Sequence, residues 1–154
     1  MNRNLNTNKA LYFGLFFMVA TFFSCSIPTN FYIQNLTNKT QKIKIYHGLK
    51  SGSNLDDVLL NSFTLYYRNE IVNPKKFKEI QNDLTLNFTQ PTDSTLVVYL
   101  KPKSTTQIVK TNNYRWVNWF IKSVTIADKN INVSQLRAAS KKMKHDYVYI
   151  IEEP

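Results

Sequence analysis

A chain of 154 residues is enough for one domain, and with 43% hydrophobic residues it can support a core, which excludes a disordered chain of low hydrophobicity. Lys and Arg number 20 against 10 Asp and Glu, a formal charge of +10. This favours anionic partners such as lipid headgroups, nucleic acid or acidic glycans, and equally suits a polar solvated surface. The single cysteine, Cys25, excludes an internal disulfide framework, so the fold must hold by its core.

Residues 1–9 are polar, with Arg3 and Lys9 as their charges, and read as the positive start of an export signal. The apolar run that follows, from Ala10 to Phe23, would be about 21 Å long as a helix at ~1.5 Å per residue, short of a ~30 Å hydrocarbon core. An unpaired cysteine in an exported chain calls for an explanation. Phe22-Phe23-Ser24-Cys25 resembles the lipobox of bacterial lipoproteins, with Phe22 where leucine is usual. The resemblance implies removal of residues 1–24, a diacylglyceryl group on the Cys25 thiol, and an acylated domain held at one membrane face. Ser26 after the cysteine implies sorting to the outer membrane, facing the periplasm. An uncleaved anchor and a plain secretory signal remain the alternatives.

Residues 25–30 read as the lipidated cysteine with a short tether, and residues 31–154 as one globular domain. Brief apolar alternations mark half-buried strands. Phe31 and Ile33 precede a polar turn at residues 35–39, then come Ile43 and Ile45, which together read as a hairpin. Further alternations follow at Phe63, Leu65 and Tyr67; at Leu84, Leu86 and Phe88; and at Leu96, Val98 and Leu100, closed by Pro102. Ile108 centres another strand, residues 114–126 form a long aromatic and β-branched stretch, and residues 128–130 turn the chain into Ile131 and Val133. Residues 147–151 close the domain. Three helical pieces interrupt the strands. One is capped by Asn54, with Leu55, Val58 and Leu59 on a face, and one starts at Asn73-Pro74, placing Phe77 and Ile80 three apart. The third spans 134–144 with Ser134 as its cap. The expected fold is mainly β: a single sandwich-like domain with two or three short helices after the signal segment.

No catalytic constellation is legible. His47 and His145 lie far apart with no ligand-spaced partner, no G-x-S-x-G is present, and the acids form no resolvable pair. The expectation is therefore no catalytic residues, no metal and no cofactor. Basic clusters occur at Lys75, Lys76 and Lys78, at Lys101 and Lys103, and at Lys141, Lys142 and Lys144. The last is expected at a helix C-terminus, where cations offset the dipole, and is also the candidate for contact with anionic headgroups. Nucleic acid is not expected to meet an exported domain. Tyr114, Arg115, Trp116, Trp119 and Phe120 crowd seven residues. They read either as core or as a protein- or glycan-binding strip built on Arg115, Trp116 and Trp119. Four Asn-x-Ser/Thr sequences, at Asn35, Asn38, Asn87 and Asn132, are unsurprising in an Asn-rich chain. Residues 43–51 are similar to the early strand and loop of the small sandwich lipoprotein of type VI secretion systems, a resemblance that implies a subunit of an envelope assembly. The expected function is a membrane-tethered envelope lipoprotein that binds or scaffolds an envelope protein or glycan. The alternatives are an assembly subunit and an enzyme acting on envelope polymers.

Overall fold

The structure, a computed structural model, describes residues 26–48, 64–80, 84–114, 116–117 and 121–153. The leader with Cys25, the stretch expected to begin a helix at Asn54, Phe63, and the distal part of the 43–51 segment lie outside the described residues.

The described chain is mainly β, with two sheets packed as a sandwich. The strands are β1 (Pro28–Asn35), β2 (Gln41–His47), β3 (Leu65–Arg68), β4 (Leu84–Leu86), β5 (Phe88–Thr92), β6 (Thr95–Leu100), β7 (Ser104–Asn112), β8 (Ile121–Ile126), β9 (Lys129–Asn132), β10 (Lys141–Met143) and β11 (Asp146–Ile151). Helix α1 (Pro74–Glu79) lies between β3 and β4, and α2 (Val133–Ala139) between β9 and β10. One sheet has the order β10-β11-β1-β7-β3-β4 and the other β5-β6-β2-β8-β9. All pairings are antiparallel except β1 with β11, where Phe31 lies opposite Tyr147.

The period-2 pattern places Phe31 and Ile33, Ile43 and Ile45, Leu96, Val98 and Leu100, and Val124 and Ile126 in the interior between the sheets. Burial of each such side chain stabilises the fold by roughly 1.5–3 kcal/mol. A second, smaller cluster lies on the outer face of the six-stranded sheet, where Tyr32, Val72, Phe77 and Val148 meet. Strand β1 is therefore buried on both faces, and Phe31, Tyr32 and Ile33 have no exposed surface. A six-residue helix is too short to persist alone. Helix α1 stands because Asn73 caps it, its side-chain oxygen accepting from Lys76 N at 2.8 Å, and because Phe77 packs edge-on to Tyr32 with ring centroids 5.1 Å apart.

The structure departs from the sequence reading at several points. Strands β1 and β2 do not form a hairpin, since they belong to opposite sheets. The alternation Leu84, Leu86, Phe88 is two strands, β4 and β5, and the chain changes sheet at Asn87. The third helix is shorter than 134–144. Asn132, not Ser134, caps it in a reciprocal box with Gln135, at 2.9 and 3.1 Å. Leu136 fixes that helix on the core, and the chain leaves it at Ser140 for β10. Lys141, Lys142 and Lys144 thus sit on a β-hairpin rather than at a helix end. In the stretch 114–126 only Ile121–Ile126 is a strand among the described residues.

The β8–β9 hairpin turns through Ala127 and Asp128, one position earlier than the sequence suggested, with φ of 47° and 62°. A two-residue loop with both φ values positive is a type I′ turn, which favours Asn-Gly. The left-handed conformation costs a Cβ-bearing residue such as alanine about 1–2 kcal/mol. The double substitution Ala127→Asn/Asp128→Gly is therefore expected to raise the melting temperature by roughly 2–4 °C. An unchanged or lowered midpoint in thermal unfolding by circular dichroism would rule out strain at this turn.

Candidate functional site

The end of the sandwich at which the chain enters is tied down from the second residue after Cys25. Ile27 N donates to Asn113 Oδ1 at 2.9 Å, and Asn113 N donates back to Ile27 O at 2.8 Å. Two residues further, Thr111 Oγ1 donates to Thr29 O at 3.0 Å and Tyr114 N donates to Thr29 Oγ1 at 2.8 Å. Within the segment expected as a tether up to residue 30, Pro28, Thr29 and Asn30 already belong to β1. Asn113 and Tyr114 close β7 in the left-handed region, with φ of 53° and 59°. Asparagine tolerates this; for a bulky tyrosine it is strain, which persists only where the surroundings impose it.

Because β11 runs parallel to β1, the turn that precedes β11 lies at this same end. That turn carries Lys144, also left-handed, and His145, whose Nδ1 lies 3.1 Å from Tyr114 Oη. The Lys142 ammonium sits 5.9 Å from the centre of the Tyr114 ring. Asp146, the first residue of β11, is buried. It accepts from Asn30 N at 2.9 Å and holds the Lys78 ammonium at 2.6 Å. Lys110, opposite Asn30 on β7, is exposed beside them. The entry end therefore carries Lys110, Lys142 and Lys144, beside the Lys78–Asp146 ion pair.

Between β1, β7 and α1, on the outer face of the six-stranded sheet, lies a recess of about 260 Å³. Pro28, Phe77 and Ile80 form its apolar wall, with Asn30, Gln107, Lys78 and Lys110 as its polar groups. The amides of Asn30 and Gln107 both donate to Tyr32 Oη, at 3.4 and 3.3 Å. Asn30 is 2% exposed and its Oδ1 has no hydrogen-bond partner among the described residues.

The outer face of the five-stranded sheet is a second candidate surface. Lys42, Lys44 and Tyr46 alternate outward along β2, and the register sets Tyr99 and Val97 on one side of them and Thr125 and Ser123 on the other. Tyr99 is half exposed, and a shallow recess of about 280 Å³ lies among Lys42, Lys44, Thr125 and the Ala127–Asp128 turn.

The residues singled out in the sequence fall in three places. Trp116 is in the core with no exposed surface. It stacks on Phe31 with ring centroids 4.7 Å apart and meets Tyr147 edge-on at 5.3 Å, out of reach of a partner. Arg115, Trp119 and Phe120 lie outside the described residues, as does Cys25. Lys141, Lys142 and Lys144 are on the surface, and Lys142 and Lys144 belong to the entry end. The cluster Lys75, Lys76 and Lys78 is not a free patch: its members pair with Glu79, Glu70 and Asp146 respectively. His47 is buried on the inward face of β2. Among the described residues no cluster of three His, Cys, Asp or Glu could hold a metal ion, and no helix is long and apolar enough to cross a membrane. Sequence reasoning passed over Asn30, Lys110 and Gln107, because only the pairing of β1 with β7 assembles residues some 80 positions apart. No family model matches the chain, and no match emerges among curated proteins or solved structures, so its function is read from these residues and their geometry.

Proposed function

We propose that the protein is a cell-envelope lipoprotein, anchored through acyl chains on Cys25 in the outer membrane and facing the periplasm, that works by binding or scaffolding an envelope protein or glycan. The observation that carries this reading is the short distance between cysteine and fold. Ile27 is already hydrogen-bonded to Asn113, so acyl chains on Cys25 would hold the basic entry end within about 7 Å of the lipid attachment, at ~3.5 Å per extended residue. Acyl chains contribute ~0.8 kcal/mol per buried methylene, and two or more give durable anchoring. Lysines near an anionic surface add about 1 kcal/mol each. The surface left for a partner is the outer face of the five-stranded sheet, with Lys42 and Lys44 between Tyr46 and Tyr99. Tyrosine and cations on a rigid sheet suit recognition of an acidic protein surface or glycan.

Metabolic labelling with an alkyne fatty acid tests the anchor. The wild-type chain is expected to take up label and fractionate with membranes, and Cys25→Ala to lose all label. Equal labelling of the two chains sinks the reading. The same membranes, solubilised in mild detergent, are expected to yield the chain in a complex that dissociates as salt rises, because the face offered to the partner is charged.

A further inference from the structure

We infer that the recess between β1, β7 and α1 is a binding site for the phosphate-bearing headgroup of a phospholipid, so that the domain grips a lipid beside its own anchor. The inference deepens the reading above and rests on it for the source of the ligand. The chemistry of the recess is that of a phosphorylated polyol or amine. Lys110 stands at the rim with no acidic partner among the described residues, and Lys78 spends one contact on Asp146 while its side chain remains 42% exposed. An ammonium has three donors, so each of these two lysines lining the recess keeps donors for a phosphate. Deeper in, Asn30 Oδ1 is a buried acceptor with no donor among the described residues. Buried polar groups almost always find a partner, and an exception is a pointer to a missing one. A headgroup hydroxyl or ammonium supplies that donor. Tyr32 Oη, which also accepts from Gln107, accepts from the Asn30 amide nitrogen, and Pro28, Phe77 and Ile80 offer a wall for the glyceryl carbons.

Size and place agree with this. At about 260 Å³ the recess is smaller than the ~300–1,000 Å³ of drug-sized sites, and it opens at the sheet surface. Its wall residue Pro28 is the third after Cys25, hence within about 11 Å of the acylated sulfur's residue. The headgroup layer on each side of a bilayer is roughly 5–8 Å deep. A site held there meets headgroups at an effective concentration on the order of millimolar or above, so even weak binding would be occupied.

The test uses the full-length protein purified from membranes in an uncharged detergent. It is titrated separately with short-chain phosphatidylglycerol, short-chain phosphatidylethanolamine, glycerol phosphate and inorganic phosphate. Saturable binding of a lipid and of glycerol phosphate is expected, weakened at least tenfold by Lys110→Glu at an unchanged melting temperature, and unaffected by Lys129→Ala on the other sheet. Asn30→Ala serves as a second variant only if it melts as the wild type does. Absence of saturable binding, or equal binding by Lys110→Glu, overturns the inference. Inorganic phosphate binding as tightly as the lipid and glycerol phosphate makes the recess a general anion site and overturns the headgroup assignment. The Cys25→Ala full chain runs in parallel. Headgroup binding without fatty-acid labelling leaves the site standing and removes the anchor; labelling without binding does the reverse.

Discussion

Trp116→Ala is expected to destabilise the protein by about 3–5 kcal/mol, a large share of the roughly 5–15 kcal/mol that holds a domain together. The indole has no exposed surface and is packed between Phe31 of β1 and Tyr147 of β11, stacked on one and edge-on to the other. Truncation opens a cavity where the two strands nearest the chain's entry point meet, and the neighbouring rings are fixed by their strands and cannot collapse into it. The indole N–H finds no acceptor among the described residues, so the residue acts through its volume and ring contacts. Trp116→Phe removes that unsatisfied donor and keeps most of the apolar surface, so a smaller loss, about 1–2 kcal/mol, is expected. Urea unfolding followed by circular dichroism measures both. A loss below 1 kcal/mol for Trp116→Ala would show that the cavity closes or that the ring does not sit where the structure puts it. Disappearance of a partner in this variant reports unfolding, not a lost contact.

The mainly β sandwich was legible where period-2 alternation survives, most plainly in β2: inward Ile43 and Ile45 against outward Lys42, Lys44 and Tyr46 is as direct a pattern as a sequence offers. Which strands pair was not legible. Phe31 to Ile45 reads as a hairpin because the polar segment between them is short, yet a sandwich needs corners as well as hairpins, and the local pattern is the same for both. Leu84, Leu86 and Phe88 mislead for the same reason, since a chain that changes sheet at Asn87 keeps its alternation. The aromatic stretch was ambiguous in principle. Trp116 is equally at home in a core and in a contact strip, and only its neighbours on β1 and β11 decide. The recess was invisible because its polar groups come from β1, β7 and α1, and no spacing rule joins Asn30 to Gln107. Lys141 to Lys144 were noticed as charge, but their place beside the entry point follows from the parallel pairing of β11 with β1, which no local signal announces.

Asn35→Ala is expected to cost about 3 kcal/mol, because one side chain there joins two passages between the sheets. Asn35 ends β1, and its amide nitrogen donates to Lys39 O and to Lys101 O, each at 2.8 Å. Its oxygen accepts from Thr37 N at 3.1 Å and from Thr37 Oγ1 at 2.8 Å. Lys39 lies on the way from β1 to β2, and Lys101 on the way from β6 to β7. Both connections pass from one sheet to the other, in opposite senses, and the Asn35 amide bridges them where strand ladders stop. Alanine leaves Thr37 N without its partner beside the fully buried Asn35 position, at about 1–3 kcal/mol unless water reaches it, and takes one of two bonds from each carbonyl, since Lys39 O also accepts from Thr37 Oγ1 at 3.0 Å and Lys101 O from Ser104 Oγ at 2.6 Å. Part of the loss is recovered because Lys39 and Lys101 are near the surface, which is why the sum is not taken in full. Asn35→Asp separates shape from hydrogen bonding. It keeps the volume and the acceptor for Thr37 but loses the donors and turns a negative oxygen toward two carbonyls, so it should be at least as damaging as alanine. Hydrogen exchange supplies the second readout: the amides of Thr37 and of Lys103, which donates to Thr37 O at 3.2 Å, should lose protection together in Asn35→Ala while those of β8 and β9 do not. If Asn35→Asp were as stable as the wild type, or if only one of the two connections opened, the corner would be held by strand pairing alone and the asparagine would be incidental to it.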